Sequence, residues 1–171
     1  MLKFTHGNRE GTGSQMTVDI VPAGKAPNGT GFALVSLLPQ DHSAAEGMPG
    51  NHVFLDECAL VVPLTAKDLA HLLIVLDGRR DSILNGKGLR LRRSYDSAKG
   101  AAIDEKEVVA VMHCDRVSAP YAGYAVHVKT LMQGDNGAYY WEDGRIVLNE
   151  AEATALRDSL RSSMGRIAFC K

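Results

Sequence analysis

The chain repeats itself. Gly31-Phe32-Ala33-Leu34-Val35 and Gly123-Tyr124-Ala125-Val126-His127 share one order of glycine, aromatic, alanine and aliphatic residues, 92 positions apart. Further on, Val62-Pro63-Leu64-Thr65-Ala66-Lys67-Asp68-Leu69 matches Ile146-Val147-Leu148-Asn149-Glu150-Ala151-Glu152-Ala153, now 84 positions apart. The eight-residue difference falls on the loops: residues 39–51 are long and rich in Gly and Pro, and their counterpart 133–137 is short. Loops absorb such differences cheaply, because closure entropy grows only with the logarithm of length. A duplicated unit constrains the fold strongly, since both copies must build the same elements and bury matching faces.

Each copy ends in a capped helix. Thr65 and Asn149 are good N-caps, and the acids three residues on, Asp68 and Glu152, complete capping-box patterns. Leu69, Leu72, Leu73 and Leu76 form one apolar stripe, and Leu156, Leu160, Met164 and Ile167 form its counterpart. These spacings predict helices over 66–76, stopped at Gly78 or carried on to residue 84, and over 150–164. Ahead of each helix lie four strand-like runs: 2–9, 15–21, 31–38 and 52–62, then 89–95, 108–117, 124–132 and 138–148. Several alternate with period two; Leu89 and Leu91, for example, oppose Arg90 and Arg92. The expected architecture is α+β, two ββββα repeats (1–86 and 87–171) whose curved antiparallel sheets are backed by helices in one pseudo-twofold domain. One face of each sheet would then be left free.

Charge marks where that free face matters. The net charge is −1, yet seven basic and two acidic side chains lie between Arg79 and Lys99, leaving twelve basic against eighteen acidic elsewhere. A basic stripe on an acidic body is the footprint of a polyanion site. No run has the roughly 18 apolar residues of a membrane span, and the N-terminus has no apolar signal core. Cys58, Cys114 and Cys170 are odd in number and far apart, which predicts neither a disulfide framework nor a zinc site and suits an intracellular setting, cytoplasm or nucleoid.

The segment from Tyr124 to Leu160 resembles the single-strand-binding core of the transcriptional positive-cofactor-four coactivators. The resemblance rests on the strand YAVHVKTLM, the turn QGDNG and the aromatic strand AYYWEDGRIVLN. Asp143-Gly144-Arg145-Ile146-Val147-Leu148-Asn149, with Leu156 later on the helix, is its most specific part. Two ββββα copies in one chain are also similar to the Whirly and related guide-RNA-binding proteins. This resemblance implies binding of single-stranded DNA or RNA across an open sheet face, and the expected role is a non-catalytic one in transcription regulation, replication or recombination. Exposed sheet edges and the paired helices predict a homo-oligomer.

Such binding needs cations for phosphates and flat side chains for unstacked bases. The candidates are Lys3, Arg9 and Lys25 in the first copy, with Lys3 and Arg9 on one side of the first strand. In the second copy they are Arg90, Arg92, Arg93, Tyr95, Lys129, Tyr139 and Trp141. Alternation sets Tyr140 opposite Tyr139 and Trp141, and the aromatics could serve the core instead. Catalytic constellations are thin. His113-Cys114-Asp115 would point to alternate faces of a strand, Asp56-Glu57 lacks partner acids, and no two histidines have metal-ligand spacing. No cofactor and no metal are expected. The alternatives are a protein-interaction or structural module and a small nucleic-acid-processing enzyme.

Overall fold

A computed structural model describes residues 1–26, 29–42, 52–92 and 108–168 of the chain. Strands β1 (Leu2–His6), β2 (Ser14–Val21), β3 (Phe32–Pro39) and β4 (Leu60–Leu64) form one antiparallel sheet in sequential order. Strands β5 (Leu89–Arg92), β6 (Val108–Val117), β7 (Gly123–Gln133) and β8 (Tyr139–Asn149) form a second sheet of the same topology. Helix α1 (Ala66–Leu76) follows β4, and α2 (Glu150–Ala168) follows β8. The two ββββα units are thus present.

Alternation decides which face of each strand is buried. In the first sheet Phe4, Met16, Leu37 and Leu60 fall in one cross-strand row and all are buried. In the second, Met112 pairs with Val128, and Leu89, Val126, Ile146 and Leu148 turn the same way. Leu69, Leu72, Val75 and Leu76 of α1 and Ala153, Leu156, Leu160 and Ile167 of α2 close one continuous core with both sheets. The sheets do more than lie beneath helices: β4 touches β6, β7 and β8, and β8 touches β2 and β3. Each helix also bridges the units, α1 reaching β6 and α2 reaching β1 and β2. Gly144 lies at a crossing point, where a Cβ would stand 3.1 Å from Leu60 Cδ1.

Both helix starts carry the expected capping boxes. Asp68 N–H donates to Thr65 Oγ1 at 3.3 Å and Thr65 N–H to Asp68 Oδ2 at 3.0 Å. Asn149 and Glu152 exchange the same bonds at 2.9 Å each. The second oxygen of Glu152 pairs with His6 Nε2 at 2.8 Å, tying the first strand of the chain to its last helix. Helix α1 stops at Leu76 and does not continue to 84. Gly78 takes φ +71°, and the N–H groups of Gly78 and Arg79 donate to the carbonyls of Val75 and Ile74. That is a Schellman closure, and it needs the left-handed residue that glycine supplies. Helix α2 runs past Met164 to Ala168, with Gly165 inside it.

Two strand boundaries and one register differ from expectation. Strand β1 ends at His6, so Arg9 is not on it. Residues 7–13 form a turn pinned by Gln40, whose Oε1 accepts from Asn8 N at 2.9 Å and Gly13 N at 3.1 Å. The fourth run opens with a single bridge, Gln40 to Phe54, and a 3₁₀ turn at Asp56–Cys58 before the true strand begins. The repeat match is also one residue out of register. The cap Asn149 stands opposite Gly123, while Leu64, one residue before the cap Thr65, stands opposite Ala33. Ala33 therefore corresponds to Tyr124, an offset of 91, and both point into the core. The aligned alanine Ala125 faces the other way, beside Asp115 and Val147.

Candidate nucleic-acid interface

The outer face of the second sheet is built by the residues that alternate with the core. Its central row runs Arg90, Val111, Lys129 and Asp143 across β5 to β8. The next row sets His113 against His127 and Arg145, and a third sets Leu131 against Trp141. Arg90, Lys129, Arg145 and Trp141 are exposed, Trp141 at 48%. The chain folds this way because Met112, Cys114, Val126 and Val128 claim the inner face, which forces their neighbours outward.

A shallow groove of about 500 Å³ runs over this face, lined by Lys87, Arg90, Val111, His113, Lys129 and Trp141. Three cations and an aromatic ring thus line one groove. Among the described residues, none of Lys87, Arg90 and Lys129 is in an ion pair. The His113 and His127 rings stack with centroids 6.2 Å apart. Burial pushes the His113 imidazole below its ordinary range; Asp115 opposes the shift, and His127, Lys129 and Arg90 add to it. A Cβ on Gly88 would lie 2.7 Å from His113 Cε1, and its φ is +68°, so only glycine lets this ring lie over the start of β5. On the groove's far side His127 Nε2 bonds Asp143 Oδ2 at 2.9 Å, and this bond holds the Asp143 carboxyl below the usual range.

The structure brings together Arg90, Lys129 and Trp141 of the expected residues. Tyr139 pairs with Gln133 farther along the same face of the hairpin. Tyr140 faces the other way but is 46% exposed, because the β7–β8 hairpin overshoots the shorter strands beside it. The exposed Tyr139 and Trp141 are not core residues. Lys3 is exposed on the outer face of the first sheet, in a row with Thr17, Ser36 and Val61. Arg9 sits in the β1–β2 turn, and Lys25 in a 3₁₀ turn that touches α2. None of these three lines the groove. Arg92 ends β5 after a register shift; its side chain, with Arg93 and Tyr95, lies outside the described residues.

Sequence reasoning left Lys87, His113 and His127 out of the site. The histidines could have been placed from alternation alone, since each stands between two core residues of its strand. Lys87 could not, because only the turn geometry brings it to the groove. The same geometry disposes of a thiol nucleophile at residues 113–115. Cys114 points into the core, where burial pushes its thiol up to about 12, while His113 and Asp115 lie on the opposite face. Among the described residues no three His, Cys, Asp or Glu side chains are placed to hold a metal ion, and no helix is long and apolar enough to cross a membrane.

No protein-family model and no curated protein sequence matches the chain. Solved structures do. WHY3 from Arabidopsis thaliana matches with a TM-score of 0.59 at 15% identity, over 98% of this chain and 88% of that one. The plant transcriptional regulator PBF-2 matches with a TM-score of 0.60 at 15% identity, over 97% and 80%. The trypanosomal MRP1/MRP2 structure matches with a TM-score of 0.53 at 15% identity, over 96% and 83%. Two sequential four-stranded sheets, each running into a capped helix, give this chain a Whirly-like fold.

Proposed function

We propose that the chain binds single-stranded DNA or RNA across the outer face of its second sheet, without catalysis, in transcription regulation, replication or recombination. The observation that carries this reading is the groove lined together by Lys87, Arg90, Lys129 and Trp141. Cations track a phosphate backbone, and an exposed ring offers a platform that any unstacked base can use. Its likeness in fold to the plant transcriptional regulator PBF-2 supports the regulatory side of the reading. Arg92, Arg93 and Tyr95 would extend the track from the end of β5. Lys3 would add a contact on the first sheet, Arg9 and Lys25 would serve only at its ends, and Tyr139 would flank the track at the hairpin tip. Residues 1–86 and 87–171 are the two units of the proposed pseudo-twofold domain, which acts inside the cell. Free sheet edges, together with Tyr140 on the side of the hairpin away from the groove, favour self-association.

Trp141 is the chain's single tryptophan, so its fluorescence reports directly on the groove. Titration with a short single-stranded oligonucleotide should change that emission, with an affinity that falls linearly in log salt and a weaker response to duplex. A slope near −0.7 per phosphate is expected. Binding unaffected by salt, or emission unaffected by saturating oligonucleotide, sinks the reading.

A further inference from the structure

We propose that the single strand does not stop at the edge of the second sheet but turns over β5 into a second phosphate site between β5 and helix α1. This inference rests on the sheet-face reading above. β5 is the edge strand of its sheet, and beyond it opens a cavity of about 650 Å³. Its polar lining is Lys67, His71, Lys87, Arg90 and Asp68. Lys87 and Arg90 line both this cavity and the outer-face groove, so one basic ridge separates two basic hollows. A strand whose phosphates lie on that ridge has its next contact down either side.

Two features of the second hollow are not accounted for by folding alone. Lys67 is the second residue after the cap Thr65, and His71 lies one turn farther along α1. Cations in the first turn of a helix face the positive end of its dipole and oppose its formation. Asp68, the one acid of the cavity, is already engaged by the Thr65 amide at 3.0 Å and hydroxyl at 2.7 Å. Among the described residues Lys67 is in no ion pair. The second feature is the backbone that carries the ridge. Leu84 has φ +49° and Asn85 +56°, followed by Gly86 at +84° and Gly88 at +68°. A leucine in the left-handed region is strained by its Cβ, and such strain gathers where a segment must hold a ligand contact in place. Here it lifts Lys87 between the two hollows.

The test compares the wild type, the double variant Lys67→Gln with His71→Gln, and Lys87→Gln. Each binds oligothymidylates of about 4 to 16 nucleotides, the span of a single-strand module. Affinity of the wild type should rise with length and then level off. The double variant should bind the shortest oligomers as the wild type does and level off at a shorter length. With long oligomers its salt slope should be shallower by about 0.7, so that between 50 and 200 mM salt it loses roughly 2.6-fold less affinity per contact removed. Lys87→Gln should weaken binding at every length, since it belongs to both hollows. Melting temperatures identify any variant that has lost its fold, and for such a variant Lys67→Arg, which keeps the charge, should restore the length increment. Identical length profiles for the wild type and the folded double variant would overturn the second site and leave the sheet-face reading standing. No binding at any length would overturn both.

Discussion

The two sheets share a topology and an inner-face pattern, but their outer faces have little in common. The central outer row of the first sheet reads Lys3, Thr17, Ser36 and Val61; that of the second reads Arg90, Val111, Lys129 and Asp143. Thr17 and the neighbouring Gln15 are buried, and Asp19 is paired with the N-terminal amine at 3.6 Å. Nothing aromatic stands beside Lys3 in its row as Trp141 stands near Lys129. The inner faces are held alike because both must close one core. The outer faces carry no such requirement, and among the described residues a groove shared by three cations and Trp141 lies on the second. The two units thus share a fold, and the proposed ligand chemistry lies on one of them.

The sharpest way to break this comparison is to attack what the sheets share. Leu37→Ala in the first sheet and Leu148→Ala in the second remove fully buried side chains and should each cost about 2–5 kcal/mol. Because the core is continuous, calorimetry should find one transition lowered by either change. Two transitions, each sensitive to only one variant, would mean two independent bodies.

Attacking what differs should spare stability. Arg90→Ala with Lys129→Ala should weaken single-strand binding by about 1–3 kcal/mol, similarly for all base sequences, since phosphate contacts position a strand without reading it. Trp141→Ala should cost about 1–3 kcal/mol of binding for each base stacked on it. At 48% exposure the ring contributes little to the core, so the melting temperature should hardly move. Loss of fold with either variant would contradict the division between inner and outer faces.

A smaller effect separates the faces by pH. Burial holds His113 below the ordinary 6.5. As pH falls through that value the unfolded chain takes up a proton before the folded one, so this contribution to stability is present above 6.5 and is lost below it. A polyanion favours the protonated ring, so affinity should rise over the same interval. Melting curves and titrations should therefore move in opposite directions, and His113→Gln should remove its share of both. The smallest expected effect is that of Lys3→Ala, under about 0.5 kcal/mol in stability, the range of an exposed surface change. Its binding loss should also fall well below that of Arg90→Ala. Equal losses would place the first sheet on the strand's path.

The fold was legible to the extent that its signals are local. The caps at Thr65 and Asn149, the leucine stripes and the alternation in β2, β5 and β8 each need only a few neighbouring residues. Register is not local. Gly-aromatic-Ala recurs in both copies, yet Ala33 and Ala125 face opposite ways, because a shift of one residue exchanges the faces of a strand. Residues 52–62 have strand-like composition but no partner strand until Leu60, so only Leu60, Val61 and Val62 of them join the sheet. Of the candidate site, the residue types were legible but not which of them share one groove. Arg90, Lys129 and Trp141 come from three strands, and their meeting depends on Val111 pairing with both Arg90 and Lys129. Arg9 was misplaced because the chain leaves β1 three residues earlier than its polar alternation indicates.

Gly144 has a consequence for anyone who would redesign this protein. It lies between Asp143 and Arg145 of the outer face, yet its own missing side chain is directed at Leu37 and Leu60 of the opposite sheet. The position is a spacer whose thickness can be dialled. Alanine there would press on the Leu60 Cδ1 methyl, which must give by a few tenths of an ångström, directly behind the stretch of β8 that carries Asp143 and Arg145. The proposed interface could then be probed from behind, with every outward-facing residue left as it is.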